Sequence, residues 1–186
     1  MSQSLAIYHR MYGSKASLPG IAAALNEFGR SHSLEENNST ALEYYKNEMA
    51  MYKQLHSNEE YSVYLADANQ RIGSCYNEMN CHEESQRHMQ QALDMYRKIY
   101  QNEKSHEDIA TILKTLGDIN FKMGNHEKAE DYYSEAFEIY SDKHGSNIDH
   151  EGIAALSDAL EANQQKKNSE FIRLVFLTHG TTSFLL

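Results

Sequence analysis

Apolar residues along this chain recur every three to four positions, in blocks separated by short polar stretches. Ile109, Ile112, Leu113, Leu116 and Ile119 make one block, and Ala129, Tyr132, Tyr133, Ala136, Phe137 and Tyr140 make the next. That spacing puts each block on one stripe of an α-helix, so the two blocks predict a pair of amphipathic helices. Between them lies KMGNHE, where Gly124 can take the left-handed conformation that ends the first helix and Asn125 can cap the second. A helical hairpin is the predicted unit.

The unit repeats. Tyr8, Tyr52, Tyr96 and Tyr140 are spaced 44 residues apart, and other columns agree at the same offset. Ala22, Ala66, Ala110 and Ala154 fall in register, each after Ile21, Leu65, Ile109 or Ile153. Gly29, Gly73 and Gly117 follow seven residues later, and the fourth copy has Glu161 there. Ala41, Ser85 and Ala129 come next, with Tyr45, Met89 and Tyr133 four residues on. A glycine inside a helix costs about 1 kcal/mol against alanine, so this column predicts a neighbouring helix too close for a β-carbon. Small residues at Ala92 and Ala136 allow the same approach, and Tyr140 is expected to pack the extended end of its helix against the next hairpin.

One hairpin cannot bury both of its apolar faces, so hairpins at a fixed period are expected to stack into a solenoid. The predicted layout has a partial second helix at 1–12, full hairpins at 17–56, 60–101 and 105–144, a fourth first helix at 148–166, and a divergent tail at 167–186. The chain starts inside a second helix and loses its period after Asn163, which reads as a fragment or as misassigned ends. The apolar tail segment FIRLVFL is expected either to cover the open end of the array or to be prone to aggregation.

Composition narrows the class. A single proline, nine glycines and 40% hydrophobic residues favour an all-α chain over a turn-rich β fold. The formal charge of −10 argues against a nucleic-acid footprint, which needs clustered Lys and Arg. Two cysteines, Cys75 and Cys81, are too few for a disulfide framework and fit a reducing compartment. The N-terminal stretch lacks a secretory pattern, so the sequons at Asn37 and Asn38 are expected to be unused. No run reaches the length of a membrane span, and a cytoplasmic protein without a membrane partner is the expectation.

The order of these columns is similar to the tetratricopeptide repeat (TPR), and HEDIATILKTLGDINFKMGNHEKAEDYYSEAFEIY (106–140) matches it almost column for column. The family unit is 34 residues, and the longer period here resembles the variant of kinesin light chains. The resemblance covers about residues 1–163 and implies a right-handed TPR superhelix of antiparallel helix pairs. Some positions depart from it. Asn69 and Ser157 stand where Leu25 and Leu113 stand elsewhere, Glu48 replaces the small residue of Ala92 and Ala136, and the unit around residue 70 matches less well than that around 115, so individual repeats are expected to be loosely packed.

The resemblance further implies that outward positions of the first helices line a concave groove. Mapped onto this sequence they are Asn26, Arg30 and Ser33, then Gln70, Ser74 and Asn77, then Lys114, Asp118 and Phe121. Amides both donate and accept, which suits Asn26, Gln70 and Asn77 to the backbone of an extended peptide, while Lys114 favours an acidic one. The plainer explanation is the solvated face of amphipathic helices. Cys75, Cys81 and His82 have no zinc spacing, and His82 shares a turn column with His126. Met49, Met89, Met95, Tyr45 and Tyr133 fall in apolar columns and are expected in the core. No catalytic signature is present, so neither enzymatic activity nor a cofactor or metal is expected.

The expected function is therefore a non-enzymatic scaffold or adaptor that holds a protein or peptide ligand in its groove. Two alternatives remain open on the sequence: a sensor array of a larger signalling enzyme, such as a nucleotide-driven switch or an ADP-ribosyltransferase, and self-association through uncapped solenoid ends.

Overall fold

The structure is a computed structural model that describes residues 18–55, 62–101, 106–144 and 158–170. All regular structure among the described residues is α-helical, as the all-α expectation requires. Helices α1 (Leu18–Leu34) and α2 (Asn38–Leu55) form the first hairpin. Helices α3 (Val63–Glu78) and α4 (His82–Ile99) form the second, and α5 (Glu107–Lys122) and α6 (His126–His144) the third. A further helix, α7, spans 158–170. Two compact units divide the chain, Met1–Lys104 with the first two hairpins and Ser105–Leu186 with the third hairpin and α7.

The three hairpin turns are built alike. Glu36 and Asn80 both have φ 58°, and Gly124, in the same repeat column, has φ 77°. A left-handed residue here lets the next amide reach back five residues, as Asn37 N to His32 O (2.9 Å), Cys81 N to Tyr76 O (2.9 Å) and Asn125 N to Asn120 O (2.8 Å) do. Glycine was expected at this position only in the third copy, and the tighter geometry holds in the other two despite their side chains. The Asn37 side chain caps α2, accepting from Thr40 N at 3.3 Å. Asn125 does not make the expected cap: its Nδ2 is drawn instead to Asn120 Oδ1 at 3.5 Å.

Each helix buries the stripe its periodicity marks. Ile21, Ala22 and Leu25 of α1 pack with Met51 of α2, and Ile72 and Cys75 of α3 pack with Ala41, Leu42 and Tyr45 of α2. Burial of a Leu or Ile side chain contributes about 1.5–3 kcal/mol relative to exposure, and in the third hairpin Ile112, Leu113, Leu116 and Ile119 are all fully buried. The methionine and tyrosine columns belong to this core, with Tyr45, Met89 and Tyr133 buried and Met49 and Met95 half-buried. Cys75 lies in it too, and burial pushes its thiol up to about 11, away from the reactive thiolate range.

The glycine column has a side-chain cause. A β-carbon on Gly29 would sit 2.6 Å from the Tyr45 ring, and one on Gly117 would meet the Tyr133 ring equally badly. On Gly73 it would meet the Met89 side chain at 3.0 Å. The close approach is thus an aromatic or thioether side chain of the paired helix packed against the glycine.

The tyrosine column makes polar contacts within its own hairpin. Tyr96 donates through its hydroxyl to Asp67 Oδ1, and the Tyr140 hydroxyl lies 3.1 Å from Thr111 Oγ1. Both reach back to the first helix of their own hairpin, because a phenol at the helix end finds a polar partner there. Tyr52 stacks on Tyr64 of the next hairpin with ring centroids 4.9 Å apart, the kind of contact predicted for Tyr140.

The second hairpin is not loosely packed. Its departures from the repeat are buried and bonded: Asn69 Nδ2 donates to Leu65 O at 2.9 Å, His88 Nδ1 lies 3.0 Å from Asn69 Oδ1, and Ser85 Oγ donates to Gly73 O at 2.7 Å. Ala66, Ala68, Ile72, Ala92 and Leu93 around them are wholly buried.

In the second unit α7 docks on the start of α6. Asn163 is buried, donates through Nδ2 to His126 O at 2.9 Å, and accepts a hydrogen bond from His126 Nδ1–H on Oδ1 at 2.9 Å. The tail was expected to begin at 167, but the helix continues to 170. Lys167 Nζ reaches Glu130 Oε2 at 2.6 Å and Glu170 Oε1 lies 3.3 Å from His126 Nε2, which holds the last turn against α6. The predicted partial helix at 1–12, the column residue Ser157 and the segment FIRLVFL lie outside the described residues.

Candidate functional site: a polar helix face beside a buried carboxylate

In the first unit the six predicted groove residues lie on two helices with the same spacing. On α1, Asn26 is half-buried and Arg30 and Ser33 are exposed, while Leu25 and Gly29 face the core. On α3, Gln70 and Asn77 are half-buried and Ser74 is exposed, while Asn69 and Gly73 face the core. Residues at i, i+4 and i+7 share one helix face, so each triplet forms one polar strip. Arg30 pairs on the surface with Glu27 at 3.3 Å, a contact of little energetic weight.

Glu48 of α2 connects the two helices. Its side chain is only 1% exposed, and its Oε1 accepts from Asn26 Nδ2 of α1 at 3.1 Å and from Arg71 Nη2 of α3 at 2.8 Å. Oε2 is buried with no hydrogen-bond partner. Arg71 also lies 3.8 Å from Asp67, which accepts the Tyr96 hydroxyl, and its guanidinium sits over the Tyr45 ring at 5.8 Å. Burial pushes the Glu48 carboxyl above the usual carboxylate range, against the opposing pull of the Arg71 charge and the hydrogen bonds from Arg71 and Asn26.

Sequence reasoning placed Asn26 and Gln70 but not the network behind them. The signal for Glu48 was its intrusion into a small-residue column. Arg71 carried no signal, because its counterparts are Glu27 and Thr115 and only the fold brings it to Glu48.

In the second unit the three predicted residues lie on α5, all half-buried. Lys114 Nζ bonds Asp118 Oδ2 at 2.9 Å, and the Tyr133 hydroxyl donates to Asp118 Oδ1 at 2.8 Å. Asp118 therefore offsets the Lys114 charge that favoured an acidic ligand. Burial, with the Asp118 charge and hydrogen bond, holds the Tyr133 phenol protonated far above the ordinary range. Phe121 packs edge-on to His126 with centroids 5.3 Å apart, so it serves the hairpin turn as well as the surface.

An open pocket of about 460 Å³ at the start of α6 is lined by residues including His126, Lys167 and Glu170. His126, Lys167 and Glu170 are already paired with one another or with Asn163 and Glu130. Among the described residues no three metal-ligating side chains come together, and no helix is long and apolar enough to cross a membrane.

Residues 64–142 match the family model described as "Tetratricopeptide repeat". No match was found among curated protein sequences. Solved structures are similar in fold at low identity. BtubC (BKLC) from P. vanneervenii superposes with a TM-score of 0.73 at 13% identity, over 98% of this chain and 72% of that one. The Rap conjugation gene regulator of the plasmid pLS20, solved in complex with the Phr* peptide, gives 0.67 at 18%, over 98% of this chain and 53% of that one. The Sgt2 TPR domain from Aspergillus fumigatus gives 0.56 at 16%, over 80% of each.

Proposed function

With tetratricopeptide repeats matched across residues 64–142 and a further helical hairpin, α1 and α2, before that span, we propose that the chain is a non-enzymatic protein-interaction scaffold. In this reading the polar strip Asn26, Arg30, Ser33, Gln70, Ser74 and Asn77 receives an extended peptide. The observation that carries it is the pair Asn26 and Gln70, amides in the same repeat column, both half-buried and set at a joint where one buried carboxylate ties α1 to α3. Side-chain amides can hydrogen-bond a peptide backbone, and partial shielding from water raises the value of each bond.

The Rap regulator, similar in fold, was solved in complex with a peptide, which supports this class of ligand. The 44-residue period and the extended second helices support placement with the long-repeat, kinesin light chain-like type. A cytoplasmic site of action fits the two free cysteines.

Selection of displayed random linear peptides tests the reading. The expected result is a set of related peptides that bind the parent chain and are lost by the combined variant Asn26→Ala, Gln70→Ala and Asn77→Ala at unchanged helicity by circular dichroism. Equal retention by the variant would remove the strip as the binding surface.

A further inference from the structure

The Asn26 amide is not free to present either end. Its Nδ2 lies against Glu48 Oε1, and the flipped amide would set Oδ1 against the same oxygen, acceptor against acceptor. Glu48 cannot readily release it, because Oε2 already lacks a partner in a buried site and Oε1 holds only Asn26 and Arg71. Arg71 is held in turn by its own place over Tyr45 and beside Asp67, so it keeps the carboxylate from swinging away from Asn26. Among the described residues nothing bonds Asn26 Oδ1, and the residue is only half-buried. Gln70, its counterpart one repeat on, has no comparable anchor.

Resting on the peptide-groove reading above, we infer that Glu48 is a positioning residue that fixes Asn26 as a hydrogen-bond acceptor, so that the ligand is an extended peptide presenting a backbone N–H at that point. Glu48 touches no ligand. It acts by setting the polarity of one contact, and with it the register in which a peptide lies. Gln70 can rotate to donate or accept and therefore tolerates either group. The replacement of a small residue by Glu48 in this one copy gives the first hairpin a contact that the other copies cannot make, since Ala92 and Ala136 stand in the equivalent positions.

The experiment uses the best-binding peptide from the displayed library, synthesised with each backbone nitrogen methylated in turn, against the full chain and its Glu48→Ala and Glu48→Gln variants. Glu48→Ala installs the residue found in the other copies and is expected to fold, and Glu48→Gln keeps an acceptor toward Asn26 and Arg71. In the parent, methylation at one position is expected to weaken binding about tenfold, the size of one lost hydrogen bond. In Glu48→Ala that sensitivity is expected to fall below about twofold, with Glu48→Gln retaining it. The Asn26 side-chain amide resonances should shift in Glu48→Ala, which reports the freed amide without any ligand. Unchanged methylation sensitivity in Glu48→Ala, or none at any position in the parent, overturns the role of Glu48 and leaves the groove standing. If the parent retains no peptide that the combined groove variant loses, the groove reading fails and this inference fails with it.

Discussion

His88 Nδ1 lies 3.0 Å from Asn69 Oδ1 in the buried interior of the second hairpin. The same two columns hold Leu25 with Tyr44 in the first hairpin and Leu113 with Tyr132 in the third. Two departures from the repeat thus answer each other. The bonds also assign the imidazole: Asn69 Nδ2 donates to Leu65 O, which leaves Oδ1 facing the ring, and Arg87 donates to His88 Nε2 at 3.0 Å, so the proton is on Nδ1.

This pairing is expected to show strong coupling. Asn69→Leu alone strands the His88 Nδ1–H in the core and should destabilise the chain by about 1–3 kcal/mol. Asn69→Leu with His88→Tyr restores the pair used in the other hairpins and should recover most of that loss. Urea unfolding of the two single variants and the double variant gives the coupling energy, and additive single effects would contradict the pairing.

The same histidine gives the stability a pH dependence. Burial, with the nearby Arg87, Lys46 and Lys53 charges, lowers His88 from its ordinary value of 6.5 to about 4. The unfolded chain therefore binds the extra proton between those values, so stability is full above pH 6.5 and is lost as pH falls toward 4, by on the order of 2–3 kcal/mol from this group. Glu48 has the opposite sign: its raised carboxyl disfavours the folded state as pH rises above the ordinary carboxylate value, and acidification relieves it. Unfolding followed across this range in the parent and in Asn69→Leu/His88→Tyr separates the two, because only the histidine contribution disappears in the variant.

Alanine at the helical glycines should not act uniformly. Gly117→Ala gains up to about 1 kcal/mol of helix propensity but drives a β-carbon into the Tyr133 ring, an overpacking that typically costs 1–3 kcal/mol. A net loss of about 1 kcal/mol is expected. At Gly73 the obstacle is the Met89 side chain, which can change rotamer, and Gly73→Ala is expected to be nearly neutral. Chemical denaturation of both variants checks the contrast.

Glu36 holds a left-handed conformation that costs a non-glycine residue roughly 1 kcal/mol, in the column where the third hairpin has Gly124. Glu36→Gly is expected to stabilise the chain by about 0.5–1 kcal/mol in thermal or urea unfolding. Asn80→Gly should give less, since asparagine tolerates this conformation.

The sequence by itself determined the hairpins, their period and their buried stripes, because helix periodicity and turn chemistry are local and were written out several times in register. It also marked Glu48 and Asn69 as foreign to their columns. What became of them was decided only by the tertiary structure. Whether a polar residue in an apolar column weakens a core depends on partners distant in the chain, and the packing of helices brought His88 to Asn69, Arg71 and Asn26 to Glu48, and Asn163 to His126. A repeat pattern records what the copies share, whereas the contacts that distinguish one copy arise between side chains whose distance apart is fixed only when the hairpins close and stack.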